Sequence, residues 1–74
     1  MSVLKPLTFR EVKRRLERVG FFEVSQKGSH VKFAKVTTQG IRTAIVPHHR
    51  EVAIGTLRSI LRQAEIDTQD FIKL

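Results

Sequence analysis

The chain has 74 residues, with fourteen Lys and Arg against seven Asp and Glu, a formal charge of +7 and no cysteine. That length suits a single domain over residues 1–74, and the lack of cysteine excludes a disulfide framework and thiolate chemistry and fits a reducing cytoplasm. No apolar run approaches the ~20 residues of a membrane span, and Met1 to Leu7 is too short and too little apolar for a signal peptide, so the chain is expected to be cytoplasmic and soluble.

The charge is unevenly spread. Residues 1–62 hold thirteen of the basic side chains and only four of the acidic ones, whereas the last twelve residues are slightly acidic. Such a field draws polyanions by steering and counterion release, so nucleic acid, an acidic protein or an anionic membrane surface are the partners to consider.

Pro6 ends a short extended lead, and Thr8 with Glu11 three residues on is a capping-box signature for a helix. Phe9, Val12, Leu16 and Val19 form one apolar stripe, with Arg10, Lys13, Arg14, Arg15 and Arg18 over the remaining surface. Gly20 stops this helix, and Phe21-Phe22-Glu23-Val24 begins a strand. A turn at Lys27-Gly28 returns the chain into a second strand, where Val31 and Phe33 face a core and His30 and Lys32 share the opposite face. Thr37-Thr38-Gln39-Gly40 turns again into Ile41–Val46, a β-branched run closed by Pro47.

Two registers are open for this third strand. With Ile41, Thr43 and Ile45 inward, Arg42 shares a face with His30; the other register puts Ala44 and Val46 inside. After the polar stretch His48-His49-Arg50-Glu51, a second helix begins around Ile54 to Thr56, with Thr56 as candidate cap and Leu57, Ile60, Leu61 and Ala64 as its buried stripe. Arg58 and Arg62 make a basic pair on another face, and Thr68 is the candidate cap of a last turn carrying Phe71 and Ile72. The expected fold is α+β, in the order α-β-β-β-α. Two helices cover one face of a three-stranded antiparallel sheet, leave the other wet, and a short helical turn follows.

The feature that carries chemistry is Lys27-Gly28-Ser29-His30. It sets one imidazole, a side chain that exchanges protons near neutral pH, at the exposed start of a strand in a basic chain. A lone histidine on a solvated strand is as a rule a surface residue, so position alone leaves both readings standing. Lys27, Lys32 and, in one register, Arg42 flank it as candidate phosphate ligands, and Gly28 and Ser29 offer a backbone N–H and a hydroxyl. His48 and His49 are candidate substrate-binding or second acid/base groups. Neighbouring histidines project apart and no further ligands complete a set around them, so no metal site is expected.

The combination of Gly20-Phe21, Lys27-Gly28-Ser29-His30, Val46-Pro47-His48-His49 and Gly55-Thr56-Leu57-Arg58 through Gln63-Ala64 resembles the HicA toxin family across nearly the whole chain. The resemblance implies a fold similar to double-stranded RNA-binding domains. It also implies ribosome-independent mRNA interferase activity, a cognate HicB antitoxin, and His30 as the catalytic residue, with Gly28 and Ser29 shaping its turn. The chain departs from the family pattern at Glu65, where relatives often carry a glycine after the Gln-Ala pair.

The chemistry fits that expectation. RNA carries its own nucleophile in the 2′-OH, so cleavage needs only proton transfers and charge stabilisation at phosphorus, and no metal or other cofactor is compulsory. DNA, lacking the 2′-OH, should not be cut. Without Trp or Tyr, base reading should be weak. The wet sheet face leads to the expectation that an antitoxin covers His30. The rival readings are a non-catalytic RNA-binding module and an adaptor for an acidic protein.

Overall fold

Thr8 stays extended and its Oγ1 accepts a hydrogen bond from the Glu11 N–H at 3.1 Å, which starts α1 (Phe9–Arg18) where the capping signature places it. The computed structural model describes residues 3–74; Met1 and Ser2, the beginning of the lead, lie outside them. Only half of the capping box closes around its own helix end. The Glu11 carboxylate is taken by Arg14, through Nε to Oε1 at 3.0 Å and Nη2 to Oε2 at 2.5 Å, and by Arg15 through Nε at 2.8 Å. Phe9, Val12 and Leu16 are buried, Val19 is half-buried at the C-cap, and Gly20 follows at φ 99°.

The strands are β1 (Phe22–Lys27), β2 (His30–Thr37) and β3 (Gly40–Pro47), an antiparallel meander in the order β1-β2-β3. Phe21, expected as the first strand residue, packs in the core before β1 begins. Val31, Phe33, Ala44 and Val46 are fully buried, which settles the register of β3: Ala44 and Val46 face the helices, and Ile41, Thr43 and Ile45 face away. The larger apolar set is thus outside. A reason is visible in α2 (Ile54–Ala64), which packs on β3, where the small Ala44 opposite Phe33 leaves room for the helix. From that helix, Gln63 Oε1 accepts the Ile45 N–H at 3.1 Å and so occupies a donor on the open edge of the sheet.

Two caps differ from expectation. Helix α2 starts after Ala53, which provides no side-chain cap, and Thr56 lies inside its first turn. In α3 (Thr68–Ile72) the cap is Asp67, whose carboxylate accepts from the Gln69 and Asp70 N–H groups, one residue before Thr68. The backbone N–H groups decide this, since a carboxylate one residue earlier reaches two orphan donors. Arg14 and Arg15 then donate to the Leu74 and Phe71 carbonyls, and the Arg15 guanidinium lies 5.2 Å from the Phe71 ring centre. These contacts tie α3 to α1. The core runs from Leu4 and Phe9 through Val31, Phe33 and Leu57 to Phe71, all on one side of the sheet, and the molecule is only 18 Å across its thinnest direction. One sheet and one layer of helices fit that thickness, so the second face of the sheet stays open. Among the described residues no helix is long and apolar enough to cross a membrane.

Candidate functional site

The β1–β2 hairpin closes through two residues, Gly28 and Ser29, with Lys27 paired to His30 across it. Only the first of the two has positive φ, 58° at Gly28, as in a type II′ turn, whose backbone twist matches that of the flanking strands. Gln26 Nε2 donates to the Gly28 carbonyl at 3.0 Å, and the His48 N–H donates to the Ser29 carbonyl. Beyond its two chain neighbours, no heavy atom stands within 4 Å of where a Gly28 Cβ would be, so the turn is open to solvent on that side. The glycine is there for its φ, not for lack of room.

His30 is held from both flanks, since it pairs with Lys27 on β1 and with Pro47 on β3. Directly paired residues point to the same side of a sheet, about 5 Å apart, and residues two along a strand follow on that side at about 7 Å. Lys27 and Lys32 therefore bracket the His30 ring on the open face. A shallow depression of about 470 Å³ is lined by Ser25, Lys27, His30, Lys32 and Ile45. Its imidazole, two ammonium groups and one hydroxyl form a cationic spot of the kind that accepts a phosphate. Ser25 and Ile45 are additions to the residues expected from sequence. Ser25 lies two residues before Lys27 on the same face, and Ile45 is seen only once the register of β3 is known.

The other candidates separate. Arg42 is not beside His30: it pairs with Lys35 on the helical side of the sheet, and its Nε meets Glu65 Oε2 at 2.7 Å. This corrects its assignment as a phosphate ligand, and the cause is the register that buries Ala44 and Val46. His48, one residue past the Pro47 that opposes His30, points toward α1 and stacks on Phe9, with ring centres 4.0 Å apart and planes at 24°. His49 is exposed. With Thr8, Arg10 and Arg50 these two histidines line a second shallow depression, on the flank of the sheet and not on its open face. Among the described residues, no three His, Asp or Glu side chains gather as a metal site would require.

The basic face expected on α1 is also reduced. Lys13 lies 3.5 Å from Glu23, and Arg14 and Arg15 are engaged by Glu11 and the C-terminal carbonyls. Arg10 and Arg18 are the cations of that helix without an ion pair among the described residues.

A family model described as the HicA toxin of bacterial toxin-antitoxin systems matches residues 9–66, from the first residue of α1 to just past the end of α2. A comparison with curated proteins returned no match.

Proposed function

The chain belongs to the HicA toxin family, the toxin half of a toxin–antitoxin pair, and from that premise we propose that it is an endonuclease of messenger RNA with His30 as its catalytic residue. The observation that carries this reading is the bracketing of one exposed imidazole by Lys27 and Lys32 at the end of the open sheet face.

In the reaction, the substrate's 2′-oxygen attacks the adjacent phosphorus as the bond to the 5′-oxygen breaks, leaving a cyclic phosphate and a free 5′-hydroxyl. Two protons move, one off the 2′-OH and one onto the departing oxygen. His30, the single imidazole of the depression, handles one of these transfers and solvent the other, which is worth roughly 10²–10⁴ in rate. Lys27 and Lys32 hold the phosphate and offset the charge that grows on its free oxygens, joined by the Gly28 N–H and the Ser29 hydroxyl on the exposed turn. His49, with Arg10 and Arg50, extends the cationic track for flanking nucleotides. His48 is a positioning residue, since its ring packs on Phe9 while its backbone holds Ser29. A HicB-like antitoxin neutralises the chain by covering His30.

The test is cleavage of a purified messenger RNA and of matched DNA, in EDTA, by the natural chain and by His30→Ala. Because His30 is exposed, the variant should keep the circular dichroism spectrum of the parent. RNA-only cleavage that falls by about 10²-fold or more in the variant is expected. Equal cleavage by both proteins would remove His30 from the chemistry. Tight, salt-dependent RNA binding with no cleavage by either would make this a binding module.

A further inference from the structure

The open face of the sheet has two unlike ends. At the His30 end it carries Lys27, Lys32 and Ser25. Beyond Lys32 the residues on the same face are Phe22, Ala34 and Thr43 in one cross-strand row and Val36 with Ile41 in the next, joined back to the site by Ile45. Val36 is 70% exposed, Ile41 65%, Phe22 50% and Ile45 40%, with the bulged Val24 alongside at 45%. Together they form a contiguous exposed apolar patch, and the largest such patch on a small soluble protein is often where a partner binds. The cations of these strand segments lie on the other face: Lys35 runs along Gly20 toward the Phe21 ring, and Arg42 is paired with Glu65.

We propose that this apolar end is the anchor on which the cognate antitoxin docks, separate from the cationic end that binds RNA. The proposal rests on the toxin reading above, and it assigns the partner's chemistry. The antitoxin brings aliphatic or aromatic side chains to Phe22, Val36, Ile41 and Ile45, and carboxylates that reach Lys27 and Lys32.

Charge segregation selects this occupant over the alternatives. RNA finds no cation on the apolar end, and of its side chains Phe22 alone offers a ring for a base to stack on, the rest being Val and Ile. A second copy of the chain brings another +7 against the first, which opposes face-to-face pairing. An acidic protein with an apolar centre satisfies both ends of the face at once. Ile45 touches both regions, so a partner seated on the apolar end necessarily lies at the rim of the His30 depression. Exclusion of RNA then follows from proximity, with the apolar contact governing how long the complex lasts.

The experiment uses the full chain and the purified cognate antitoxin. Val36→Thr/Ile41→Thr removes the apolar end at two exposed, directly paired positions while keeping β-branched side chains, so the sheet is preserved and circular dichroism should be unchanged. The expected result is at least a tenfold loss of affinity for the antitoxin by calorimetry, with RNA cleavage by the free variant equal to the parent. Antitoxin affinity within twofold of the parent overturns the proposal. So does retained affinity accompanied by loss of RNA cleavage, of a dimer seen by ultracentrifugation, or of binding to phosphatidylserine vesicles, each of which assigns the patch to another occupant. The nuclease reading is tested separately, by the parent against His30→Ala. A parent that cuts no RNA but loses antitoxin affinity in the double variant would sink that reading and leave the anchor in place.

Discussion

Glu65 is where a family pattern, a backbone angle and an ion pair meet, and replacing it by glycine tests all three. It sits at the C-cap of α2 with φ 56° and ψ 45°, the one non-glycine residue with positive φ among the described residues. Holding an L side chain in that left-handed region costs roughly 1–2 kcal/mol. Against the relief of that strain stand two losses. Glycine is freer in the unfolded chain, worth about 0.5–1 kcal/mol, and the bond to Arg42 disappears. Although that pair is short, at 2.7 Å, the glutamate side chain is 62% exposed, so the pair contributes only about 0.2–1 kcal/mol. Glu65→Gly should therefore stabilise the protein only slightly, by about 0.2 kcal/mol, raising Tm by about 1 °C for a chain of this size. In an Arg42→Gln background the pair is already gone, and the same substitution should add about 0.8 kcal/mol. The assay is thermal and urea unfolding of the four proteins of the cycle, with RNA cleavage measured on each. A fall of several degrees in both backgrounds would refute the strain argument. Loss of cleavage in Arg42→Gln with stability intact would refute placing Arg42 outside the site.

Two further predictions concern groups that hold the site and the frame. His48→Ala should cost about 1–2 kcal/mol by removing the ring stacked on Phe9, and cleavage should fall with it; His48→Phe, which keeps a ring and the backbone bond to Ser29, should restore both. Low cleavage in a stable His48→Phe protein would give His48 a chemical role instead. The hydrogen bonds from Arg14 and then Arg15 lower the Glu11 pKa from the usual 4.5 to about 2. Its folded value lies below its unfolded value, so the stability it adds is complete above about pH 4.5 and is lost as pH falls toward 2. Melts of the parent and Glu11→Gln should differ near neutrality, by about 1 kcal/mol once solvent screening is allowed for, and converge as pH falls from 4.5 toward 2. A difference that stays constant with pH would show that the carboxylate's charge is not what matters.

The fold was legible because its signals were local. Thr8, the stripe Phe9, Val12 and Leu16, the Gly28 turn and the alternation of Val31 and Phe33 each act within a few residues. So did the placing of His30 beside Lys27 and Lys32, which needs only the period of a strand and a two-residue turn. What escaped was decided by packing between elements. Whether Ala44 or Ile45 faces inward depends on how closely α2 approaches β3, which strand periodicity does not encode. Arg42 followed that register to the helical side. The extra residue at Val24 shifts the alternation of β1 and turns Phe22 outward, and nothing in the run Phe21–Val24 announces it. Asp67 displaced Thr68 as a cap by a single position, within the ordinary reach of such signals.

The position of His30 bears on how such a chain can be controlled. Its backbone is fixed by pairing on both sides, the turn before it is held by Gln26 and by the His48 N–H, and its strand packs Val31 and Phe33 into the core. A group set this firmly is hard to disarm by moving it, because shifting His30 would disturb the sheet that carries the whole core. The open face offers the easier route. A partner that covers the histidine leaves the fold unstrained, and its hold on the chain is then set by whatever surface lies next to the site. On this molecule that surface is the apolar end of the same sheet face, and under the reading proposed above it holds a protein while the cationic end serves RNA.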